Sequence, residues 1–572
     1  LRYSGIVFLT LLGLYILIGE GFSIHYKNLI RSRLPVLSAK ATDSLYLITI
    51  QDIRINIFTQ VVTVSGLRMQ VDLDVLQRRR AEGRPPHVIL DVSVPEANVS
   101  GVKWDDLSAE KTLSCRAVTF HQPEIRVQIM PEWEQAKKSV VHRSPSISRV
   151  SAQKITIDGP QLDVRYSYGD TGFSVQTRGG MIRASDWNYY PRHAFDPDRF
   201  FGAVAAEISL TGATYSYPGS LYEYGMNSIA FNSITKEGAI SGLRIHPVLS
   251  HDAFYARVGF RKDVYECFLP KVLVHDLDWR TLLTRHEFYA GDLTFVSPDF
   301  AIFYSKKPPV APSRAQALYP SQILKHSRLP ITVPLINISD AAVRYSESNN
   351  KTGATGTLEF DYMNGTILNV SNRDSEIAKS PVCRMLFNGK FMHRTSMGAI
   401  IDFPLYSNKG AFSINAAVSD LDASQIRDQI NALAIADLKS LQIPQASVHI
   451  VGNEDSSWGL FQIMYDNLKI KLLKWNPEDS DVHSRVLLSF LANKLLLYPS
   501  NPMQGESPRQ VMSGIARGNT RSFFMMIWKN IFQACIRTAV RDDGAMDIVN
   551  RKKANIGKPK QPFFKDLFPK RK

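Results

Sequence analysis

The chain has 572 residues, 44% of them hydrophobic, and a formal net charge of +15. Its length exceeds the ~250–300 residues at which one compact core stops growing, which excludes a single small globular domain and points to several units or a repetitive body. Residues 551–572 hold nine Lys and Arg against the single Asp566, so this tail supplies +8 and leaves only +7 over the first 550 residues, too little for a nucleic-acid-binding surface.

The first element in chain order is an apolar run from Tyr3 to Ile18, extendable to Ile24 only by accepting Glu20. A membrane span needs ~20 residues, with ~17 as the lower limit, so residues 1–24 read as a short transmembrane helix or a signal peptide. No clear Ala-x-Ala site follows, which favours the anchor. Lys27, Arg31, Arg33 and Lys40 follow the run while Arg2 alone precedes it, and by the positive-inside rule this points the C-terminus inward. The β-rich composition downstream outweighs that count and places the body outside the cytoplasm.

Beyond the anchor the chain alternates in period two. Ile53, Ile55 and Ile57 alternate with Arg54 and Asn56, Ile125, Val127 and Ile129 with Arg126 and Gln128, and Leu468, Ile470 and Leu472 with Lys469 and Lys471. Side chains two apart share a strand face, so these isoleucines and Val127 are expected on an apolar interior face. Turn signals such as Ser65-Gly66, Asp158-Gly159-Pro160 and Arg178-Gly179-Gly180 separate the strands. The expected fold is mainly β: an elongated, mostly antiparallel, curled sheet with few helices. Those helices are Leu73 to Glu82, Leu421 to Leu441, and a clear one over 520–540. On a helical wheel the last has a narrow polar strip of Ser522, Lys529, Asn530, Gln533 and Arg537 opposite a wide apolar arc, expected to lie against the protein's own sheet.

The body also repeats itself. Ile53 to Asn56 with Ser65-Gly66-Leu67-Arg68 returns 176 residues later as Ile229 to Asn232 with Ser241-Gly242-Leu243-Arg244. Val94-Pro95, Val99-Ser100 and Trp104 return at an offset of 175 as Leu269-Pro270, Val274-His275 and Trp279. Phe120, Pro123-Glu124-Ile125 and Val127 match Phe295, Pro298-Asp299-Phe300 and Ile302, and Val164 to Ser167 matches Val343 to Ser346. Ordered self-similarity of this kind is the mark of concatenated structural units. It divides the body into repeat units 25–225 and 226–420, a C-terminal region 421–550 and the basic tail 551–572. A duplicated unit makes a long surface, which suits binding or spanning better than a catalytic pocket.

The search for chemistry finds little. Glycine phosphate loops, zinc-helix motifs and nucleophile elbows are absent from the sequence. Cys115, Cys267, Cys383 and Cys535 stand more than 100 residues apart, outside any metal or redox spacing. His275, Asp276, Asp278, His286 and Glu287 form the best metal-like group, but the first three occupy the slots of Ser100, Gly101 and Lys103 in the other repeat. Asp196-Pro197-Asp198 reads as a turn. No catalytic residue, metal or cofactor is expected. In the tail, Phe563, Phe564 and Phe568 among lysines are expected either to touch an anionic membrane or to belong to a solvated, disordered end.

Leu460 to Ile470, Phe490-Leu491-Ala492-Asn493, Asn501-Pro502 and Arg517 to Phe524 leading into Trp528-Lys529 resemble the C-terminal region of AsmA-like proteins. Val94-Pro95, Val99 to Val102 and Trp104 after an apolar anchor also resemble that family. The resemblance implies an inner-membrane, single-pass envelope protein of double-membraned bacteria with a periplasmic β-body. It implies a lipid-holding or lipid-conducting bridge, with phospholipids, the membrane and envelope assembly proteins as partners, and Ile53, Ile55, Ile57, Ile125, Val127 and Ile129 lining the groove. The competing expectation is a non-enzymatic envelope scaffold whose apolar face only packs against itself.

Overall fold

The computed structural model describes residues 44–56, 61–101, 112–130, 149–168, 171–190, 196–310, 312, 318–350, 353–434, 436–476, 481–484, 497–517 and 523–541. The expected anchor, Ile57, Trp104 and the tail with Phe563, Phe564 and Phe568 lie outside them. Among the described residues are 26 strands and seven helices, and strand makes up 61% of the structure, so the chain is mainly β. No helix among the described residues is long and apolar enough to cross a membrane. The chain forms two compact units: the first is Leu1–Ser250, Glu266–Pro298 and Leu329–Ile336, the second His251–Tyr265, Asp299–Arg328 and Asn337–Lys572.

In the first unit the sequence duplication is a duplication of strand register. Asp52–Asn56 pairs antiparallel with Val61–Val71, setting Ile53 opposite Val64; Tyr222–Asn232 pairs with Glu237–Pro247, setting Ile229 opposite Ile240, each partner moved by 176. The next strands agree: Leu67 faces Val94, and Leu243 faces Leu269. One step further, Glu96 faces His121 and Lys271 faces Val296.

Backbone strain repeats with the register. Gly66 and Gly242 take φ of 63° and 60°, a left-handed conformation open to glycine, which is why Ser-Gly-Leu-Arg recurs. Gly101 (φ 63°) corresponds to Asp276 (φ 53°), Gln122 (φ 46°) to Ser297 (φ 49°), and Gly159 (φ 63°) to Asp340 (φ 53°). A Cβ on Gly101 would stand 2.6 Å from Cβ of Arg116; at the matching place, Asp276 faces Gly291, where an added Cβ would stand 3.0 Å from Cβ of Asp276. Each copy thus keeps one glycine in the facing pair, on opposite strands.

Most strand pairs among the described residues are antiparallel, as the alternation predicts, but parallel pairs make the sheet mixed. Thr112–His121 runs parallel to Arg149–Asp158 and Glu124–Ile129 parallel to Gln161–Tyr168, setting Val127 opposite Val164. In the second unit Asp299–Ser305 runs parallel to residues 342–348, setting Ile302 opposite Tyr345. The counterpart of Val164 is therefore Tyr345, two residues beyond the Val343 that sequence matching selects. A slip of two leaves every side chain on its own face, so pattern alone does not detect it.

The second unit continues as an antiparallel series from Thr355–Ser371 through Val382–Phe391, Thr395–Pro404, Phe412–Asp422, Ala436–Gly452 and Ser456–Asn476 to Gln510–Ala516. The helix Phe523–Ala539 lies on one face of it, where Phe523, Met526 and Ala534 join Phe403, Phe412, Ile414, Ile450 and Phe461 in one core. Three residues of its polar strip bond the neighbouring strands. Asn530 Nδ2 donates to Ser457 Oγ (3.2 Å), Gln533 to the Gly514 carbonyl (3.3 Å) and Arg537 to the Met512 carbonyl (2.6 Å).

The helix Leu73–Ala81 forms as the sequence predicts, with Asp72 Oδ1 accepting from the amides of Asp74 and Val75. The single helix predicted over 421–441 is instead the helix Ala423–Ala434 followed by the strand Ala436–Gly452. Asp422 and Gln425 cap the start, Ser424 N donating to Asp422 and Asp422 N to Gln425. Leu438 fits helical spacing yet sits opposite Ile470 in the sheet, because strand pairing outweighs helix propensity there.

Candidate functional site

The longest chemically uniform feature is one face of the first unit's sheet. Strand by strand, the register aligns Ile53, Val64, Ala97, Phe120 and Ile157 in a single transverse row. The row continues through Ile182, Ile208, Phe231, Gly238, Val274 and Leu293. Eleven strands contribute, and not one side chain in the row is polar. One residue along, on the opposite face, the partners are Arg54, Thr63, Asn98, Thr119 and Thr156, then Arg183, Glu207, Asn232 and Glu237. Cross-strand contacts knit that wet face together: Thr63 donates to Asn98 (2.7 Å) and Arg183 lies 3.7 Å from Glu207.

Burial divides the apolar row. Ile53 is 1% exposed, Val64 3%, Ala97 2% and Phe120 8%, in a cluster with Tyr46, Val62, Val99 and Val118. Further along, Ile157, Ile182, Ile208 and Phe231 are only half-buried. The row thus starts in a dry core and runs out onto a partly open surface. A parallel row shows the same: Leu90, in the core, is followed by Val127, Val164, Val175, Tyr215, Tyr224, Ile245 and Cys267. Tyr215 is 37% exposed, with Phe173, Tyr217 and Tyr224 in ring contact at 5.5–6.2 Å and Tyr166 stacked on Phe173 at 5.0 Å.

Of the groove residues expected from sequence, Ile53 is in the closed cluster and Ile125 and Val127 pack half-buried against it. Ile129 is half-buried opposite Val88. Ile55 lies opposite Val62, with its side chain outside the described set. The open stretch centred on Ile182, Ile208 and Phe231 escapes the sequence reading. Its signals are faint: Ile208-Ser-Leu210 and Ile229-Ala-Phe231 alternate weakly, and the repeat sets Phe231 at the place of Ile55.

The second unit has its own concavity, of about 790 Å³, on the sheet face opposite the helix Phe523–Ala539. Its floor is small, made by Gly398, Ala417 and Ser447, and Leu386, Ile400 and Leu460 rise around it beside Asn388, Asn415, His449, Gln462 and Gln510. Ile400 is 40% and Leu460 43% exposed, so the apolar sides are open to solvent.

The ionisable groups have structural occupations. Asp278 caps the helix Trp279–Arg285 through Thr281 N and Oγ1 (3.0 and 2.6 Å), Asp276 holds its left-handed slot beside Lys236, and His275 pairs with Asp292 at 2.8 Å. Asp196 accepts from the amide of Asp198 within a turn. No group of three potential metal ligands occurs among the described residues. Burial pushes the Cys115 thiol up to about 12 and that of Cys383 to about 11, so neither supplies a thiolate near neutrality. In the second unit the buried Glu347 pairs with Lys306 and accepts from Tyr345 Oη (3.0 Å), and burial pushes the Tyr304 phenol up to about 12.

Comparison with known proteins finds no family model and no curated protein that matches the chain.

Proposed function

We propose that this chain holds phospholipid, with acyl chains lying on the apolar face of the first unit, and works as a bridge that keeps lipid out of water between two membranes. The observation that carries the reading is the eleven-strand apolar row beside an all-polar row on the opposite face, with its middle half-open. An acyl chain gains ~0.8 kcal/mol for each CH₂ removed from water, so a continuous apolar strip lowers the barrier to moving lipid without any catalytic group. The residues that resemble AsmA-like proteins support the same reading. They extend it to an inner-membrane anchor, a periplasmic body and a part in outer-membrane assembly, without enzymatic activity.

A second reading, an envelope scaffold, is favoured by the closed cluster at Ile53, Val64, Ala97 and Phe120, which leaves no room for a ligand at that end. Purified full-length chain, extracted and analysed by mass spectrometry, separates the two. Stoichiometric phospholipid is expected for the bridge, whereas a folded chain free of lipid leaves the scaffold.

A further inference from the structure

We infer that the loop 196–204 and the turn 233–236 of the first unit form a membrane-inserting tip, whose partner is the apolar interior of a lipid bilayer independent of headgroup charge. Phe200 and Ala203 exchange both main-chain hydrogen bonds (2.9 and 3.0 Å), closing a two-residue turn with Phe201 at φ 49° and Gly202 at φ 93°. Positive φ at both central positions is the type I′ pattern, which favours Asn-Gly and disfavours a bulky aromatic at the first position. Phe201 occupies that position with 46% of its surface exposed.

The turn is held in this strained form. Trp187 Nε1 donates to the Phe201 carbonyl (3.0 Å), and Arg199 Nη1 donates to the carbonyls of Asp186 (2.6 Å) and Gly202 (3.2 Å). The Phe201 ring meets Phe200 edge-on at 5.0 Å, yet nearly half of its surface stays open, and a strained backbone pinned by neighbours holds it there. Two more apolar side chains stand beside it: Val204 is 46% and Ile234 61% exposed, and Ala206 and Ser233 join their segments by two hydrogen bonds (2.8 and 2.9 Å). Phe200, next to the exposed ring, turns inward and packs on Ile208 and Phe231, so the tip adjoins the half-open stretch of the apolar row.

The charges at this end decide the kind of partner. Arg199 is matched by Asp196 (3.6 Å), Arg280 by Asp198 (3.6 Å), Lys236 by Asp276 (3.3 Å) and Arg183 by Glu207 (3.7 Å). With these four cations paired, the described residues of the tip favour apolar insertion over a contact with headgroup charge. As the route by which acyl chains reach the apolar row, this tip rests on the lipid-holding reading; as a membrane contact it does not.

The test uses full-length chain carrying Cys267→Ser and Cys535→Ser, with an environment-sensitive dye on Ile234→Cys, mixed with vesicles of pure phosphatidylcholine with or without acyl-chain quenchers. The expected result is a rise in dye emission that acyl-chain quenchers suppress, equal at low and high salt and unchanged by anionic lipid. Phe201→Gly relieves the φ strain but loses the edge contact with Phe200, so it is expected to change the melting temperature little and to weaken vesicle binding roughly tenfold. A dye that stays in water with every vesicle, or a response that needs anionic lipid, overturns the inference; so does a Phe201→Gly variant that binds vesicles unchanged. Lipid co-purifying with a variant that no longer inserts leaves the holding role intact. Insertion by a chain that carries no lipid leaves the tip and removes the holding role.

Discussion

Gly101 lies against Arg116, and in the second copy of the repeat the same two places are held by Asp276 and Gly291: the glycine has moved to the other strand. A Cβ on both residues of the facing pair is too close, 2.6 Å in the first copy, so one glycine is required and either position serves. Gly101→Asp alone should therefore destabilise by about 1–3 kcal/mol through overpacking. Adding Arg116→Gly should restore most of that loss, although the introduced aspartate would keep a positive φ, which its short side chain tolerates. Thermal or urea unfolding of the two single variants and the double variant measures the coupling. Additive losses would mean that the exchange between copies is coincidental.

The division of the apolar row into dry and half-open stretches makes two carboxylate substitutions diverge. Ile53→Asp places an unpaired carboxylate where 1% of the side chain is exposed, and should cost several kcal/mol, of the order ~3, as a lowered melting temperature. Ile182→Asp, half-buried, should change stability much less and remove co-purified phospholipid. Melting temperature and lipid content on the same samples decide it. Equal destabilisation by both, with no loss of lipid from the second, would favour the scaffold.

Asp278 links pH to the stability of the helix Trp279–Arg285. Partial burial raises its carboxyl pKa, but hydrogen bonds from the side chain and amide of Thr281 outweigh this and hold it below the ordinary value of 3.8. A folded-state pKa below the unfolded one means a contribution fully present above the unfolded value and lost as pH falls through the folded one. The wild type should thus lose stability relative to Asp278→Ala on acidification below about pH 4, from an advantage of ~1 kcal/mol at neutral pH. Melting curves between pH 2 and pH 7 test this; a constant difference would deny the cap its charge.

Arg537 and Gln533 cap the outward carbonyls of Gln510–Ala516, a strand that pairs within its unit with Ser456–Asn476. Open carbonyls on such a strand are a template for another chain, and Met512 there is 63% exposed. Arg537→Ala is expected to raise concentration-dependent self-association, read by light scattering, with a loss of about 1 kcal/mol in stability. A variant that stays monomeric at every concentration would show that the helix backbone alone closes the edge.

Much of the fold was legible because its signals are local. Alternation at Ile53 to Ile57 and Ile125 to Ile129, turn glycines such as Gly66, and the wide apolar arc of 523–539 report on spacings of two to four residues, which backbone geometry converts directly into a face. The duplication was legible for the same reason: Gly66 and Gly242 recur because a left-handed backbone position excludes most side chains. Identical local rules hid the two-residue shift from Val343 to Tyr345, since both choices put an apolar residue on the same face.

By itself the sequence determined that this chain is β-rich, that the segment 53–167 returns over 229–346, and which strand faces are apolar. Tertiary structure alone decided which strands run parallel, that the polar strip of the final helix turns toward a sheet edge, and where Phe201 stands. It also decided that the row from Ile53 to Leu293 is closed at one end and half-open in its middle. Facing is fixed by a residue's immediate neighbours. Covering depends on segments far away in the chain, and the free energy that seals Ile53 but leaves Ile182 half-exposed comes from contacts that no local pattern encodes.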